Sequence, residues 1–196
     1  MKRQIKRIAP RVCLWAGIAL LVAGMLVLAA WQWNIHHSAN KAASYAQTIR
    51  TLIPTAQNAV PEERQNNTMA TLSVDGINFV GVLEMPRYQS VLPVGNTWGH
   101  LTDYPCRFSG SIYNSTLQIG ATTQKGQYDF YREISVGDTL IFTDAEGNRY
   151  TYAITNLRYE THADQATLNR EDATLTLFIK NIYAFEYLIV SCDIAG

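Results

Sequence analysis

Cysteine is scarce in this chain: only Cys13, Cys106 and Cys192 occur in 196 residues. That is too few for a small domain held together by disulfides. Cys13 falls in a long apolar run, which leaves Cys106 and Cys192 as the one pair that could join outside it. Two readings stay open for them, a disulfide or two buried thiols acting as small apolar side chains. Clustered positive charge is missing from the body of the protein. Five of the 16 basic residues lie in the first eleven positions and no acid precedes position 34, so the remainder carries eleven basic against sixteen acidic residues, or −5. A mildly acidic body lacks the Lys and Arg clusters that phosphate contacts need, which excludes nucleic acid as an expected partner. No HExxH, CxxC, P-loop or EF-hand pattern occurs, so neither a catalytic metal nor another cofactor is expected. Internal repeats and low-complexity tracts are absent as well. With only 12 Gly and 6 Pro against 47% hydrophobic residues, the chain has the composition of one ordinary domain plus extensions.

What is present begins with the basic segment 1–11 (Lys2, Arg3, Lys6, Arg7, Arg11). Residues 12–33 follow without a charge, about 22 residues against the roughly 20 that span a bilayer. Trp15, Trp31 and Trp33 lie near the ends of this run, where indole rings favour the headgroup region, and the upstream cations predict a cytoplasmic N-terminus. The reading is a single-pass plasma-membrane anchor with everything C-terminal to it outside the cell. A cleaved signal peptide, with Val27-Leu28-Ala29 before the cut, is the alternative; the run exceeds the usual h-region of roughly 7–15 residues.

Residues 34–68 are polar and Ala-rich, with Tyr45, Ile49, Leu52 and Ile53 at helical spacing, which predicts a helical stalk interrupted by Pro54 and Pro61 and ending in a linker. The folded domain is expected over 69–196. Its signals are those of strands: 77–85, 117–122, 139–143 and 149–159, with the turn Ala145-Glu146-Gly147-Asn148 making the last two a hairpin. A second antiparallel pair is expected from 175–180 and 187–192. Many short strands with few helical segments predict a mainly β fold, a closed barrel or a sandwich.

Five motifs in this order carry a resemblance: LEMP (83–86) with LPV (92–94), PCRFSGS (105–111), VGDTLIFTDAEGNRYTYAIT (136–155), LTLF (175–178) and LIVSC (188–192). Behind a basic N-terminus, an apolar span and a stalk, they resemble the sortases, cell-wall cysteine transpeptidases of Gram-positive bacteria. PCRFSGS is similar to the run found in the class B type. The resemblance implies a sortase-type closed β-barrel with short helices. It also implies a peptide substrate bearing a sorting signal such as LPxTG or NPQTN.

Sortase chemistry needs a thiolate nucleophile, a histidine for proton transfer and an arginine for the oxyanion or the substrate. The positions that the resemblance assigns to these groups hold Lys180 for the cysteine, Thr122 for the histidine and Tyr187 for the arginine, so no catalytic residue is intact. Thr122, Thr123, Ile179, Lys180 and Tyr187 are then the candidate peptide groove. Lys180 is read as a solvated ammonium on a buried stem, with pairing to Glu186 as another reading. A displaced dyad of Cys106 and His100, or Lys180 as an amine nucleophile, would be needed to restore chemistry. His36 and His37 are read as interfacial and His162 as a solvated loop residue. Class A sortases sometimes use calcium, and Glu160, Asp164, Glu171 and Asp172 lie in a comparable loop region, but they are read as a solvated face. The large apolar side chains Ile179, Ile182, Phe185 and Tyr187 raise a further expectation, a groove that has collapsed. The leading reading is a membrane-anchored, inactive sortase homologue. It would bind a sorting-signal peptide or partner an active sortase or a pilin. The alternative is an active cysteine transpeptidase with displaced catalytic residues.

Overall fold

A computed structural model describes residues 2–62, 67–164, 167 and 173–195, with only the backbone described for 2–13 and 34–38. Helix α1 (Lys2–Leu52) opens the chain, and the structure divides into two compact units, Met1–His37 and Ser38–Gly196. The first unit holds one helical stretch, Leu14–Trp33, that is long and apolar enough to cross a membrane, with a mean hydropathy of 2.2 and none of it buried. The described side chains in it, among them Trp15, Trp31 and Trp33, are exposed. Among the described residues nothing covers this apolar surface. His36 and His37 lie outside the described side chains.

The second unit is a closed barrel of eight strands. In chain order its strands are β1 (Gln57–Asn58), β2 (Leu72–Val74), β3 (Ile77–Met85), β4 (Ser90–Gly95), β5 (Cys106–Ser109), β6 (Leu117–Thr122), β7 (Thr139–Asp144), β8 (Asn148–Glu160), β9 (Leu175–Asn181) and β10 (Glu186–Ile194). The wall runs β8-β10-β9-β6-β5-β4-β3 and closes because β7 pairs with both β3 and β8. β1 adds in parallel to β8 and β2 in antiparallel to β3, outside that circuit. The mainly β expectation is met. The hairpin β7–β8 turns at Asp144, whose carboxylate accepts hydrogen bonds from the backbone N–H of Glu146 and of Asn148, both at 2.9 Å. This is the turn-making habit of Asp that the sequence announces. β4 and β5 were not among the expected strands, because Pro93 breaks the pattern of one and the other has only four residues.

The core reaches further towards the N-terminus than the sequence suggests. Ala42 and Ile49 are fully buried and Ala46 nearly so, and Tyr45 stacks edge-on against Tyr104 at 6.0 Å and lies 5.4 Å from Phe79. Positions 42, 45, 46 and 49 form one helical stripe. Residues expected to form a helical stalk thus pack against the barrel, and the compact unit spans Ser38–Gly196. Two of the buried residues are alanines, which carry little apolar signal but let the helix come close. Gly126, at φ +85°, lies so near Ala39 that a Cβ there would collide with it. The helix ends at Leu52, two residues before Pro54, as the restriction on a residue preceding proline requires.

A buried carboxylate joins two loops at one end of the barrel. Asp138, 8% exposed, accepts hydrogen bonds from Arg87 Nη1 and Tyr88 Oη at 2.6 Å each and from the Ser135 N–H at 2.9 Å. Burial by itself would raise its pKa, but the hydrogen bonds from Tyr88, Arg87 and Ser135 outweigh it and hold the group below the usual carboxylate range. A depressed folded-state pKa contributes stability that is present above about pH 4 and lost as pH falls through the lower folded value. Asp138→Asn is expected to cost about 1–3 kcal/mol at neutral pH. It should also flatten the acid limb of a stability profile measured by urea titration. An unchanged acid limb would mean that the clamp is not the titrating element.

Candidate functional site

The three positions assigned from motifs at separate places in the sequence meet in the barrel wall. In the parallel pair β6–β9, Thr122 is the register partner of Lys180. In the antiparallel pair β9–β10, Tyr187 is the register partner of the same Lys180. They form one transverse row at the ends of three neighbouring strands. Side-chain alternation sets the face. Leu175, Leu177 and Ile179 belong to the interior core, so Thr176, Phe178 and Lys180 point outward. Parallel to that row runs Gly120, Phe178 and Ile189, and beyond it Gln118, Thr176 and Ser191. Phe178 and Ile189 form a second apolar cluster on this outer face, with Ala163 and Tyr187 packed against it.

The candidate groove residues divide accordingly. Lys180 is exposed and Tyr187 half-buried, whereas Thr122 and Thr123 are buried at 3% and 5% exposure. Thr123 ties the strand ends together, its N–H donating to Lys180 O at 3.0 Å and its Oγ1 accepting from the Ile182 N–H at 3.1 Å. Ile179 is fully buried in the barrel interior, so it lines no outer groove; alternation along the strand turns it away from Lys180. The pairing of Lys180 with Glu186 is not formed, and among the described residues no carboxylate lies within ion-pair distance of its ammonium. Phe185 is 98% and Ile182 40% exposed, so the expected apolar plug does not form from them.

A different aromatic group covers the sheet beside Lys180. Trp98, in the 3-10 turn Trp98–His100, stacks on Phe178 at 5.7 Å and meets Phe108 edge-on at 5.1 Å. Phe108 in turn meets Phe178 edge-on at 5.3 Å. The indole rests on Gly120, where a Cβ would come within 2.5 Å of two of its ring carbons. Glycine is needed there for space, and Trp98 and Gly120 fit as a pair. A lone glycine inside an apolar strand signals a close approach of this kind, and it was the available sequence clue. Gly120→Ala is expected to push the half-exposed indole outward at a cost of roughly 1–3 kcal/mol. Trp98 is the one tryptophan in Ser38–Gly196, so its emission in that unit should shift to the red. Unchanged emission would contradict the packing.

The thiols are remote from such chemistry. Both Cys106 and Cys192 are free and fully buried, which removes the disulfide and leaves the buried-thiol reading. Cys106 Sγ lies 3.4 Å from Tyr104 O, and burial pushes its pKa up to about 11. Burial raises Cys192 as well. A reactive cysteine needs a lowered pKa and access, and Cys106 has neither. His100 Nδ1 lies 4.0 Å from Asp103 Oδ2 and its ring packs 5.7 Å from Tyr104. In the acidic stretch, Glu160 pairs with Arg158 at 3.2 Å and Asp164 caps the Thr167 N–H at 2.8 Å. Glu171 and Asp172 lie outside the described residues. Among the described residues no cluster of three His, Cys, Asp or Glu could hold a metal ion.

No protein-family model and no curated protein matches the chain. Solved structures do. Sortase C-3 from Streptococcus pneumoniae is similar at a TM-score of 0.53 and 16% identity, over 83% of this chain and 84% of that one. Sortase A from Corynebacterium diphtheriae is similar at 0.53 and 13% over the same shares. Sortase C1 from Streptococcus agalactiae is similar at 0.52 and 18%, over 63% of this chain and 71% of that one. At such identities the likeness establishes the fold, a sortase-type barrel.

Proposed function

We propose that this protein is a degenerate sortase, of the class B type by its PCRFSGS run, that binds a sorting-signal peptide without cleaving it. The observation that supports this most is the row Thr122–Lys180–Tyr187. A nucleophile, a base and an oxyanion donor on adjacent strand ends could converge on one scissile carbonyl. Here the same three places offer an ammonium, a buried hydroxyl and a phenol. Lys180 has no base beside it in that row, and neither native thiol outside the apolar helix is accessible. Leu14–Trp33, preceded by five cations, serves as a single-pass anchor in the plasma membrane, with a cytoplasmic N-terminus and the barrel outside. Peptide held there, or an active sortase or pilin docked to the barrel, would place the protein in surface-protein assembly.

The test uses Ser38–Gly196 with LPxTG-type and NPQTN-type peptides, an amine acceptor and a thiol-alkylating probe. Peptide binding that perturbs Lys180 and Tyr187, with no turnover, is the expected result. Turnover abolished by alkylation would replace this reading with an active cysteine transpeptidase. Absence of both binding and turnover would leave a structural membrane-proximal module.

A further inference from the structure

One residue beyond the row, on the other side of the same strand ends, lies a second recess. Thr123, Lys125, Asp129, Tyr131, Arg132, Asn181 and Tyr183 surround a cleft of about 470 Å³. Its floor is a built network. The Tyr131 hydroxyl, on a side chain 8% exposed, accepts hydrogen bonds from Arg132 Nε at 2.9 Å and from Asn181 Nδ2 at 3.0 Å. Asn181 is itself 5% exposed and accepts the Tyr183 N–H through Oδ1 at 3.0 Å. A phenol oxygen has two lone pairs and one proton. Both lone pairs of Tyr131 are engaged, and its proton has no acceptor among the described residues. The Thr123 hydroxyl is in a similar state, its oxygen accepting from the Ile182 N–H at 3.1 Å. Arg132 uses only Nε in the network, which leaves Nη1 and Nη2 as a fork, and its guanidinium carbon sits 5.6 Å from the Tyr131 ring centroid. Lys125 adds an exposed ammonium at the rim.

The cleft therefore presents four kinds of donor and, among its lining side chains, one anion, Asp129, while Glu186 outside the lining lies close enough to add to the Tyr131 hydrogen bond in raising the pKa of Arg132. A ligand that satisfies it needs acceptor oxygens in a planar pair and at most a single negative charge. The fork of Nη1 and Nη2 fits the two oxygens of a carboxylate, while a doubly charged phosphate would meet Asp129 with an excess of negative charge. We propose that this cleft is a carboxylate-binding site, held by Arg132 and the Tyr131 hydroxyl. It goes beyond the groove reading and stands whether or not Lys180 faces a bound peptide.

The full chain in detergent micelles, labelled with ¹⁵N-arginine, is titrated with acetate and with inorganic phosphate at constant ionic strength. Arg132→Gln identifies the Arg132 Nε–H signal. Saturable movement of that signal by acetate, stronger than by phosphate, is expected. Tyr131→Phe should weaken acetate binding by about tenfold or more, the usual scale for loss of a hydrogen bond to a charged group. Acetate that gives no saturable shift, phosphate that binds as well or better, or undiminished affinity in Tyr131→Phe would each overturn the assignment. Should Tyr131→Phe not fold, Arg132→Lys, on the exposed side chain, takes its place: it keeps the charge and removes the fork, and unchanged acetate affinity would overturn the proposal.

Discussion

A chain cut to begin at Met69 is expected to lose most of its stability relative to Ser38–Gly196. The cut removes the stripe of Ala42, Tyr45, Ala46 and Ile49, which lies against the fully buried Phe79 and the nearly buried Tyr104. Burial of one isoleucine stabilises by about 1.5–3 kcal/mol, and exposing two core aromatic rings adds a loss of similar size. β1 is lost as well, with its backbone hydrogen bonds of 2.9 Å from Gln57 N to Gly147 O and from Ala59 N to Arg149 O. Against a typical total of about 5–15 kcal/mol, the fragment should unfold with little cooperativity. The milder change Ile49→Ala in the longer chain is expected to cost about 2–5 kcal/mol. That corresponds to a fall in Tm of roughly 5–20 °C for a domain of this size. Circular dichroism melts of the three chains decide the matter. A Met69 fragment as stable as the longer one would show that the helix merely rests on the barrel.

Lys180→Cys is expected to create a thiol that is alkylated at least about a hundred times faster at pH 7 than either native thiol of the unit. The margin follows from the thiolate populations. An unperturbed cysteine with a pKa near 8.5 is a few per cent ionised at that pH, and the group at about 11 is ionised roughly two orders of magnitude less. Burial acts in the same direction, because the closed barrel shields both native thiols from the reagent. Adding Thr122→His and Tyr187→Arg should bring two basic side chains beside the new thiol and lower its pKa. The rate–pH profile of alkylation should then move to lower pH. Thr122 is buried, so histidine there must displace neighbours; the double variant Lys180→Cys with Tyr187→Arg tests half of the row without that demand. A profile that does not move in either variant would show that the register row does not place these side chains together. Peptide turnover by the triple variant would show in addition that the barrel retains a competent groove.

The positions of this row are legible in the sequence by counting, since Lys180 stands two residues after LTLF, Tyr187 directly before LIVSC, and Thr122 is the fourth residue of IGATT (119–123), the segment that the resemblance aligns with the histidine. The apolar run with its basic preface is legible for a similar reason: charge and hydropathy are properties of single residues summed over a window. Strand existence is also local, which is why β3, β6, β7, β8, β9 and β10 were expected close to their observed places. Pro93 and the shortness of β5 hid the other two strands of the wall, whose pairing is supplied by neighbours distant in sequence.

By itself, then, the sequence determined the existence of six of the eight wall strands, the helix suited to a membrane and, through the resemblance, the three positions expected to stand in a catalytic row. The tertiary structure decided which of them is exposed, since alternation turned Lys180 outward and Ile179 into the core. It also decided that Trp98 covers the sheet above Gly120, that two alanines bind the helix to the barrel, and that Tyr131, Arg132 and Asn181 converge on one cleft. Those outcomes depend on contacts between segments far apart along the chain. Burial and donor satisfaction belong to the closed barrel as a whole, and no window of sequence contains them.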